Sequence, residues 1–373
     1  MKRITVFVGS CRKNGNTANT VSLLEEVITG KCESVIDRTK GNYSRRGRKN
    51  PLQNFLIIES YQQFPVYSLF GTGMHYNMTY HNTACRIGRN MELFTTDAWF
   101  KGNLHMHTTV SDGVLDKETA VEKYRKEKYD FLAITDHSIF TPETNDRDML
   151  LLSGIEYICD QYHVVGIGMT EPPPEEQNQS VDECIEDIIR REGIPIIAHP
   201  VWSLLDHQDM FRLSGNVGTE VWNSVCHFQT RRGDASSFLD VLFAGGLTPP
   251  IFAVDDTHHY KKELFSGWIM VNCQKCEREL ILEAITEKRF YCTQGPAFEQ
   301  IWVEGDTVRV KTSPVSEIRF MSARFSAPGR MQRGKGITDA VYTINPDDVF
   351  LRIELEDSKG KRAWSQIIWE SIL

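Results

Sequence analysis

The chain reads as an α/β protein, a closed or nearly closed barrel followed by an all-β C-terminal region. Three observations carry that reading. From Trp99 to about residue 294, short apolar runs alternate with amphipathic helical stretches, the pattern of a parallel sheet with crossover helices. That many units within about 190 residues suggests a sheet closing on itself. Beyond Gln294-Gly295-Pro296 helical periodicity stops, and only short β-type runs separated by turn residues remain, at sandwich spacing.

Length and composition set the frame. The 373 residues are enough for about two to three domains. A 40% hydrophobic and 25% charged composition is ordinary for a globular protein. No apolar run reaches membrane-spanning length, so no membrane partner is expected. The opening Met1–Ser10 has a basic pair but reads as a strand, not a signal peptide. Nine scattered cysteines argue for reduced thiols and a cytoplasmic protein, and Cys273-Gln274-Lys275-Cys276 has no second Cys pair to complete a zinc site. The net charge of −8 hides an asymmetry. Residues 1–90 hold 13 Lys and Arg against 5 Asp and Glu, leaving 29 against 45 in the remainder. An acidic main body is a poor match for phosphate neutralisation, so no nucleic-acid partner is expected.

Taken in order, residues 1–95 read as an incomplete flavodoxin-like fragment and irregular linker. Ile4–Val8 is an apolar strand, Gly9-Ser10 opens a loop, and Asn14–Thr17 leads into a helix over Ala18–Val27. The segment resembles the start of flavin-dependent NADPH (FMN) reductases, where such a loop cradles phosphate. Residues 31–90, with the basic run Arg45–Lys49 and one apolar run at Phe55–Ile58, do not supply the further βα units of that fold.

Residues 96–294 form the barrel of this reading. Leu104 opens a strand on which His105 and His107 share a face. Asp116 caps a helix with Ala120, Val121 and Tyr124 on one side. Phe131–Thr135 is a buried strand ending at Asp136-His137, and Met149–Ile155 the next, ending at Glu156. His163–Gly168 follows after a hairpin-like link. Ser180 and Glu183 form a capping box ahead of Cys184, Ile185, Ile188 and Ile189. Ile194–Ala198 ends at His199-Pro200, where proline biases His199 to an extended conformation. Val217–Trp222 is another strand, Phe238–Ala244 a helix, and Pro250–Val254 runs into Asp255, Asp256, Thr257, His258 and His259. A last helix carries Leu280, Ile281, Ala284 and Ile285. Residues 295–373 then show β-type runs at 300–303, 307–310, 318–320, 341–344, 350–355 and 367–369.

The polar residues beside those strand ends are His105, His107, Asp112, His137, Glu156, His199, Asp256 and His258, with His163 at the start of its strand. In an α/β barrel the carboxyl ends of the strands form one active face. Imidazoles and carboxylates gathered there suit borderline divalent ions.

The set resembles the PHP (polymerase and histidinol phosphatase) superfamily of metal-dependent phosphoesterases: His-x-His-x4-Asp-Gly, Thr-Asp-His, Gly-x-Glu with a following His, Ala-His-Pro, and Asp-x-His, over residues 99–295. The C-terminal region, ending in Lys361–Ser365, further resembles the carbaryl-hydrolase-like branch. The resemblance implies a distorted seven-stranded (β/α) barrel followed by the sandwich, and two or three divalent ions, Mn or Zn with Fe as a further option. One ion falls to His105, His107, Glu156 and Asp256, a second to Glu156, His163 and His199, a third to Asp112, His137 and His258. Glu156, Asp256 and His199 are expected to carry the catalysis. By spacing alone, Asp255 and His259 compete with Asp256 and His258.

Six neutral imidazoles and three carboxylates leave such a centre positive once loaded, suited to a phosphate dianion and to attack by a metal-bound hydroxide. The expected activity is hydrolysis of a small phosphorylated substrate. Hydrolysis of a carboxylic ester, carbamate or amide at the same centre is the alternative, and a non-catalytic binding protein with the sandwich as recognition module is the alternative of another class. Asp136, Thr135 and Thr257 are candidate orienters of the ligands, Asn223 faces the rim, and Arg231-Arg232 reads as a solvated pair or a phosphate contact.

Overall fold

The computed structural model describes residues 91–174, 180–213 and 217–370, together with two short strands, β1 (Val6–Phe7) and β2 (Ile57–Ile58). The chain divides into two compact units, Met1–Asn82 and Thr83–Leu373. In the first, β1 and β2 pair antiparallel. The flavodoxin-type phosphate loop at 9–17 and the basic run at 45–49 lie outside the described residues.

The second unit is a mixed α/β structure with extensive sheets and few helices. Its first strands are β3 (Met91–Glu92) and β4 (Trp99–Asn103). Helix α1 (Lys117–Lys126) starts where Asp116 Oδ1 accepts the Thr119 N–H at 2.8 Å, and buries Ala120, Val121 and Tyr124. β5 (Phe131–Ala133), β6 (Thr144–Asp146) and β7 (Met149–Leu152) follow. Then come β8 (Gly154–Cys159), β9 (Tyr162–Ile167) and α2 (Val181–Arg190), the last opened by the Ser180–Glu183 capping box.

β10 (Ile194–Ile197), α3 (His207–Arg212), β11 (Gly218–Asn223), α4 (Ser224–Thr230), α5 (Ser236–Ala244) and β12 (Ile251–Val254) continue the alternation. β13 (Trp268–Asn272), α6 (Arg278–Thr286) and β14 (Phe290–Thr293) complete this part. The remaining strands are β15 (Phe298–Glu304), β16 (Thr307–Met321), β17 (Met331–Thr343), β18 (Phe350–Glu356), β19 (Arg362–Ser365) and β20 (Trp369–Glu370).

A five-stranded sheet runs β12-β11-β10-β9-β8, and a larger one contains β19-β14-β13-β4-β5-β7. Pairing is parallel at β4–β5, β5–β7, β10–β11 and β11–β12. It is antiparallel at β8–β9, where the hairpin-like link was expected, and also at β9–β10 and β4–β13, so the parallel sheet expected from the alternation is a mixed one. The cause is local. Asp160 and Gln161 alone join β8 to β9, with Asp160 at φ 54°, and so short a link permits only a hairpin.

The run Met149–Ile155, expected as one strand ending at Glu156, is two strands split at Ser153. The Ser153 hydroxyl donates to the Met169 carbonyl at 2.7 Å, and its own carbonyl accepts Gly168 N–H at 2.9 Å. At Gly154 a Cβ would lie 2.4 Å from the Ile134 carbonyl oxygen, so only glycine lets the chain cross from one sheet to the other. Glu156 therefore sits inside β8, its backbone held on both sides.

A continuous apolar core of residues such as Phe131, Ile155, Val165, Ile197, Phe252 and Trp364 lies among the sheets and α2, α5 and α6. A separate one underlies β15–β18. Single parallel bridges pair Met106 with Thr257 and His137 with Glu156, joining the chain just beyond β4 and β5 to residues after β12 and in β8. No helix among the described residues is long and apolar enough to cross a membrane.

Candidate metal centre

Those two bridges fix the geometry of the site. Strand β4 stops at Asn103, so His105 and His107 lie just past its end rather than within it. They still share a side, because Met106 between them is bridged to Thr257. His107 N–H donates to the Thr257 carbonyl at 3.0 Å, and Asp256 N–H donates to the His105 carbonyl at 2.9 Å. The two Nε2 atoms end 3.2 Å apart. Gly113 lets the loop fold back tightly: a Cβ there would meet the His107 carbonyl oxygen at 2.4 Å.

Glu156 is the hub. Its Oε2 lies 3.2, 3.1 and 2.9 Å from His105 Nε2, His107 Nε2 and His137 Nδ1. Its Oε1 lies 2.9 Å from His163 Nδ1 and 3.5 Å from His199 Nε2. Asp256 Oδ1 stands 3.3 Å from His105 Nε2, 3.2 Å from His107 Nε2 and 3.5 Å from His258 Nδ1. At the more exposed mouth, Asp112 approaches His258 Nε2 at 3.4 Å, His137 Nε2 at 3.6 Å and His107 Nδ1 at 3.7 Å. All nine residues singled out in the sequence are thus brought together.

Three groups of donor atoms lie close enough to hold an ion each: His105, His107 and Asp256; His137, Glu156 and His163; and His107, Asp112, His137 and His258. His137 joins Glu156 and His163 in the second of these groups, and His199, expected with that pair, has its Nε2 3.5 Å from Glu156 Oε1. Asp255 and His259 fall outside the groups. Asp255 accepts the Tyr124 hydroxyl at 2.9 Å and the backbone N–H groups of Phe265, Ser266 and Gly267 at 2.8 to 3.0 Å. The His259 N–H donates to Glu263 Oε1 at 2.8 Å.

The donor set passes a test of fit to divalent cations. Glu156 Oε2, Asp256 Oδ1 and His137 Nδ1 are buried, crowded by polar atoms, and yet have no hydrogen-bond partner. Buried polar atoms are normally paired. Atoms 3 Å apart whose lone pairs face one common volume instead of one another are arranged for coordination. Among the described residues no Lys or Arg pairs with Glu156, Asp256 or Asp112, whose charged neighbours are all histidines.

Electrostatics point the same way. Burial alone would raise the Glu156 carboxyl, but the His105 charge and contacts from His105, His107 and His137 hold it well below the usual range. Asp256 is likewise lowered: His105 and His107 outweigh its burial. Burial opposes a proton on His107, yet Asp256 and Glu156 raise it to about 9. His105 and His199 are raised against burial, His105 chiefly by Asp256 and His199 by contact with Glu156. Protons and metal ions compete for such nitrogens.

The orienting residues behave unevenly. Asp136 accepts the Thr108 N–H at 2.7 Å, the Thr108 hydroxyl at 2.8 Å and the Ser111 hydroxyl at 2.7 Å, shaping the loop from His107 to Asp112. The Thr135 hydroxyl meets the Met106 N–H at 3.2 Å and the Met106 carbonyl at 3.3 Å, while Thr257 acts through its backbone carbonyl. Arg231 contacts His227 Nε2 at 3.3 Å and is exposed like Arg232. His199 is not extended as the following proline predicts. It sits at φ 29°, its N–H donating to Glu220 Oε2 at 2.7 Å. Glu220 is the residue the sequence reading missed. Its signal was a lone carboxylate inside the apolar stretch Val217–Trp222, a burial that must be compensated.

No family model and no curated protein matches the sequence. Among solved structures the chain is similar to a two-domain protein from Bacteroides vulgatus containing a predicted PHP-like metal-dependent phosphoesterase. Identity is 14% over 77% of this chain and 99% of that one, with a TM-score of 0.43. It is also similar to an amidohydrolase from Chromobacterium violaceum, at 15% identity over 43% and 89% of the two chains and a TM-score of 0.32. A Bifidobacterium adolescentis protein described as a metal-dependent phosphoesterase matches at 15% identity over 42% and 87%, with a TM-score of 0.30.

Proposed function

We propose that the chain is a metal-dependent hydrolase of the PHP type acting on small phosphorylated molecules. In this reading residues 96–294 build a distorted seven-stranded barrel around the centre and 295–373 an all-β sandwich beside it. The Met106–Thr257 and His137–Glu156 bridges support a ring of strands, since they link the two sheets on either side of the site.

One observation carries the functional reading: Glu156 Oε2 and Asp256 Oδ1 converge with several imidazole nitrogens on one buried volume while making no hydrogen bond. His105, His107, Asp256 and Glu156 would hold one ion, Glu156, His163 and His199 with His137 a second, and Asp112, His137 and His258 a third. Two or three ions of Mn or Zn, with Fe as a further option, would supply positive charge for a phosphate dianion and activate water for in-line attack. The chain's own part is to fix the donors. The His258 Nδ1–H donates to the Asp256 carbonyl at 2.9 Å, which turns the other ring nitrogen toward Asp112. His199 Nδ1 meets the Ser203 hydroxyl at 3.0 Å, and Glu156, Asp256 and His199 hold the reacting groups in place.

A second reading, hydrolysis of an uncharged ester, carbamate or amide, is favoured by one feature. Trp202, partly exposed, stands edge-on to His199 with ring centroids 4.9 Å apart, an apolar surface where a charged substrate would call for Arg or Lys. A panel of phosphate monoesters, phosphodiesters, aryl esters and carbamates, assayed with added Mn²⁺ or Zn²⁺, tests both. Turnover of phosphate esters is expected. Turnover of aryl esters or carbamates alone moves the assignment to the second reading, and no turnover by protein shown to hold its ions refutes a hydrolase.

A further inference from the structure

Glu220 lies in the middle of β11, is 1% exposed, and is paired with no Lys or Arg among the described residues. A carboxylate in that position is expensive unless each oxygen is hydrogen-bonded. Here the partners all belong to the candidate centre or to its neighbour Asn223. Glu220 Oε1 faces His105 Nδ1 at 2.7 Å. Oε2 accepts the His199 N–H at 2.7 Å and the Asn223 Nδ2–H at 2.8 Å. Asn223 Nδ2 also donates to Asp256 Oδ2 at 3.0 Å, leaving Asp256 Oδ1 free to face the imidazoles. Asn223 is itself fixed, since its Oδ1 accepts the Cys226 N–H at 3.0 Å at the start of α4.

Each contact settles something the centre needs. With Glu220 Oε1 as acceptor at 2.7 Å, neutral His105 carries its hydrogen on Nδ1, which leaves the Nε2 lone pair for an ion shared with Glu156 and Asp256. His199 and Asp256 both hold positive φ, 29° and 50°, a conformation that non-glycine residues keep only when their surroundings impose it. The backbone of the first and the carboxylate of the second are both tied to the Glu220–Asn223 pair. That pair therefore aligns three donors that arrive on three separate segments, after β4, β10 and β12.

We propose that Glu220 is a positioning residue for the metal centre, fixing the His105 tautomer directly and, with Asn223, the His199 turn and the Asp256 carboxylate, without itself contacting an ion. The proposal rests on the metal reading above. Glu220→Gln keeps the shape and removes the charge. In one amide orientation the NH₂ group faces His105 Nδ1 and drives the ring hydrogen to Nε2, where it blocks coordination. In the other, the NH₂ faces two donors, the His199 N–H and the Asn223 amide.

The experiment is a competition titration of Zn²⁺ against a chromophoric chelator, on the full chain purified free of metal, with no activity measurement involved. Wild type, E220Q, E220D and a destabilised control, Leu239→Ala in the core, are compared, with thermal unfolding followed alongside. E220Q is expected to weaken one ion about 10- to 100-fold, the range for loss of an orienting partner. The ion served by Asp112, His137 and His258 should be spared, and E220D, which keeps the charge, should lie between E220Q and wild type. Unchanged Zn²⁺ binding in E220Q, or uniform weakening matching the Leu239→Ala control, overturns the positioning role. So does an E220D no better than E220Q. If E220Q does not fold, E220D against the control carries the same decision. Absence of Zn²⁺ binding by wild type is a separate outcome and overturns the metal reading itself.

Discussion

Removing the ions should make stability depend on pH in a way the loaded protein does not share. His107 is fully buried, and its carboxylate neighbours raise it from 6.5 to about 9. A group raised on folding contributes stability that is fully present below its unfolded value and is lost as pH rises through its folded value. Metal-free protein should therefore lose stability between about pH 6.5 and 9. The difference of roughly 2.5 pH units corresponds to about 3 kcal/mol, or several degrees of melting temperature for a chain of this size. His105 and His199 are shifted in the same direction and add to the trend. Glu156 and Asp256 are lowered; their contribution is present above about pH 4.5 and is lost as pH falls through their folded values. The metal-free optimum thus lies between about 4.5 and 6.5. Loaded protein should behave oppositely above that window, since ions bind deprotonated ligands better. Melting temperatures of chelator-treated and Zn²⁺-loaded protein, taken from pH 5 to 9, should diverge steadily. Parallel curves, or a metal-free curve flat from 6.5 to 9, would refute the idea that protons and ions compete for one cluster.

Two further outcomes follow from the geometry. Glu156→Gln should cost more than one equivalent of metal by mass spectrometry, because Glu156 faces five histidines where each of these faces fewer carboxylates; full stoichiometry in the variant would remove Glu156 from its bridging role. Deleting residues 1–82 should leave metal content and melting temperature nearly unchanged. Extending the deletion to 95 should cost several kcal/mol, of the order found for removing a buried Phe, since Phe94 is buried against Trp99 at 4.6 Å and β3 pairs with β15. Equal stability of the two truncations would show that residues 83–95 do not hold the fold.

Features set by residues close in sequence are legible in the sequence. Helix starts at Asp116 and Ser180 depend on residues three apart, and both caps form. The apolar run read as the strand Phe131–Thr135 depends on its own composition, and a buried strand forms there over Phe131–Ala133. The histidines and carboxylates could be gathered because each lies near the end of such a run. The break at Ser153 was not legible, because it follows from the close approach of Gly154 to the Ile134 carbonyl, a contact between segments. The backbone of His199 was misjudged for a similar reason: the local bias from Pro200 is overruled by Glu220, 21 residues away. Glu220 was missed because a single carboxylate inside a strand has no spacing pattern. Only its surroundings show what it does.

The seam between the sheets has a consequence for the order in which the chain becomes a protein. Trp364, fully buried, belongs to the same core as Phe131 and Phe252. β19 pairs with β14, and the Gln366 side chain bonds both the N–H and the carbonyl of Ile251 at 2.9 Å. Arg362 reaches Asp234 at 2.5 Å, and Arg352 reaches Asp240 at 2.7 Å. The β14 partners lie about 70 residues upstream, and the side-chain partners of Gln366, Arg362 and Arg352 more than a hundred. During synthesis, the segment carrying the candidate ligands is made long before the residues that seal its core. The segment from His105 to His258 therefore keeps apolar surface uncovered until residues 352–366 have been made and can pack against it.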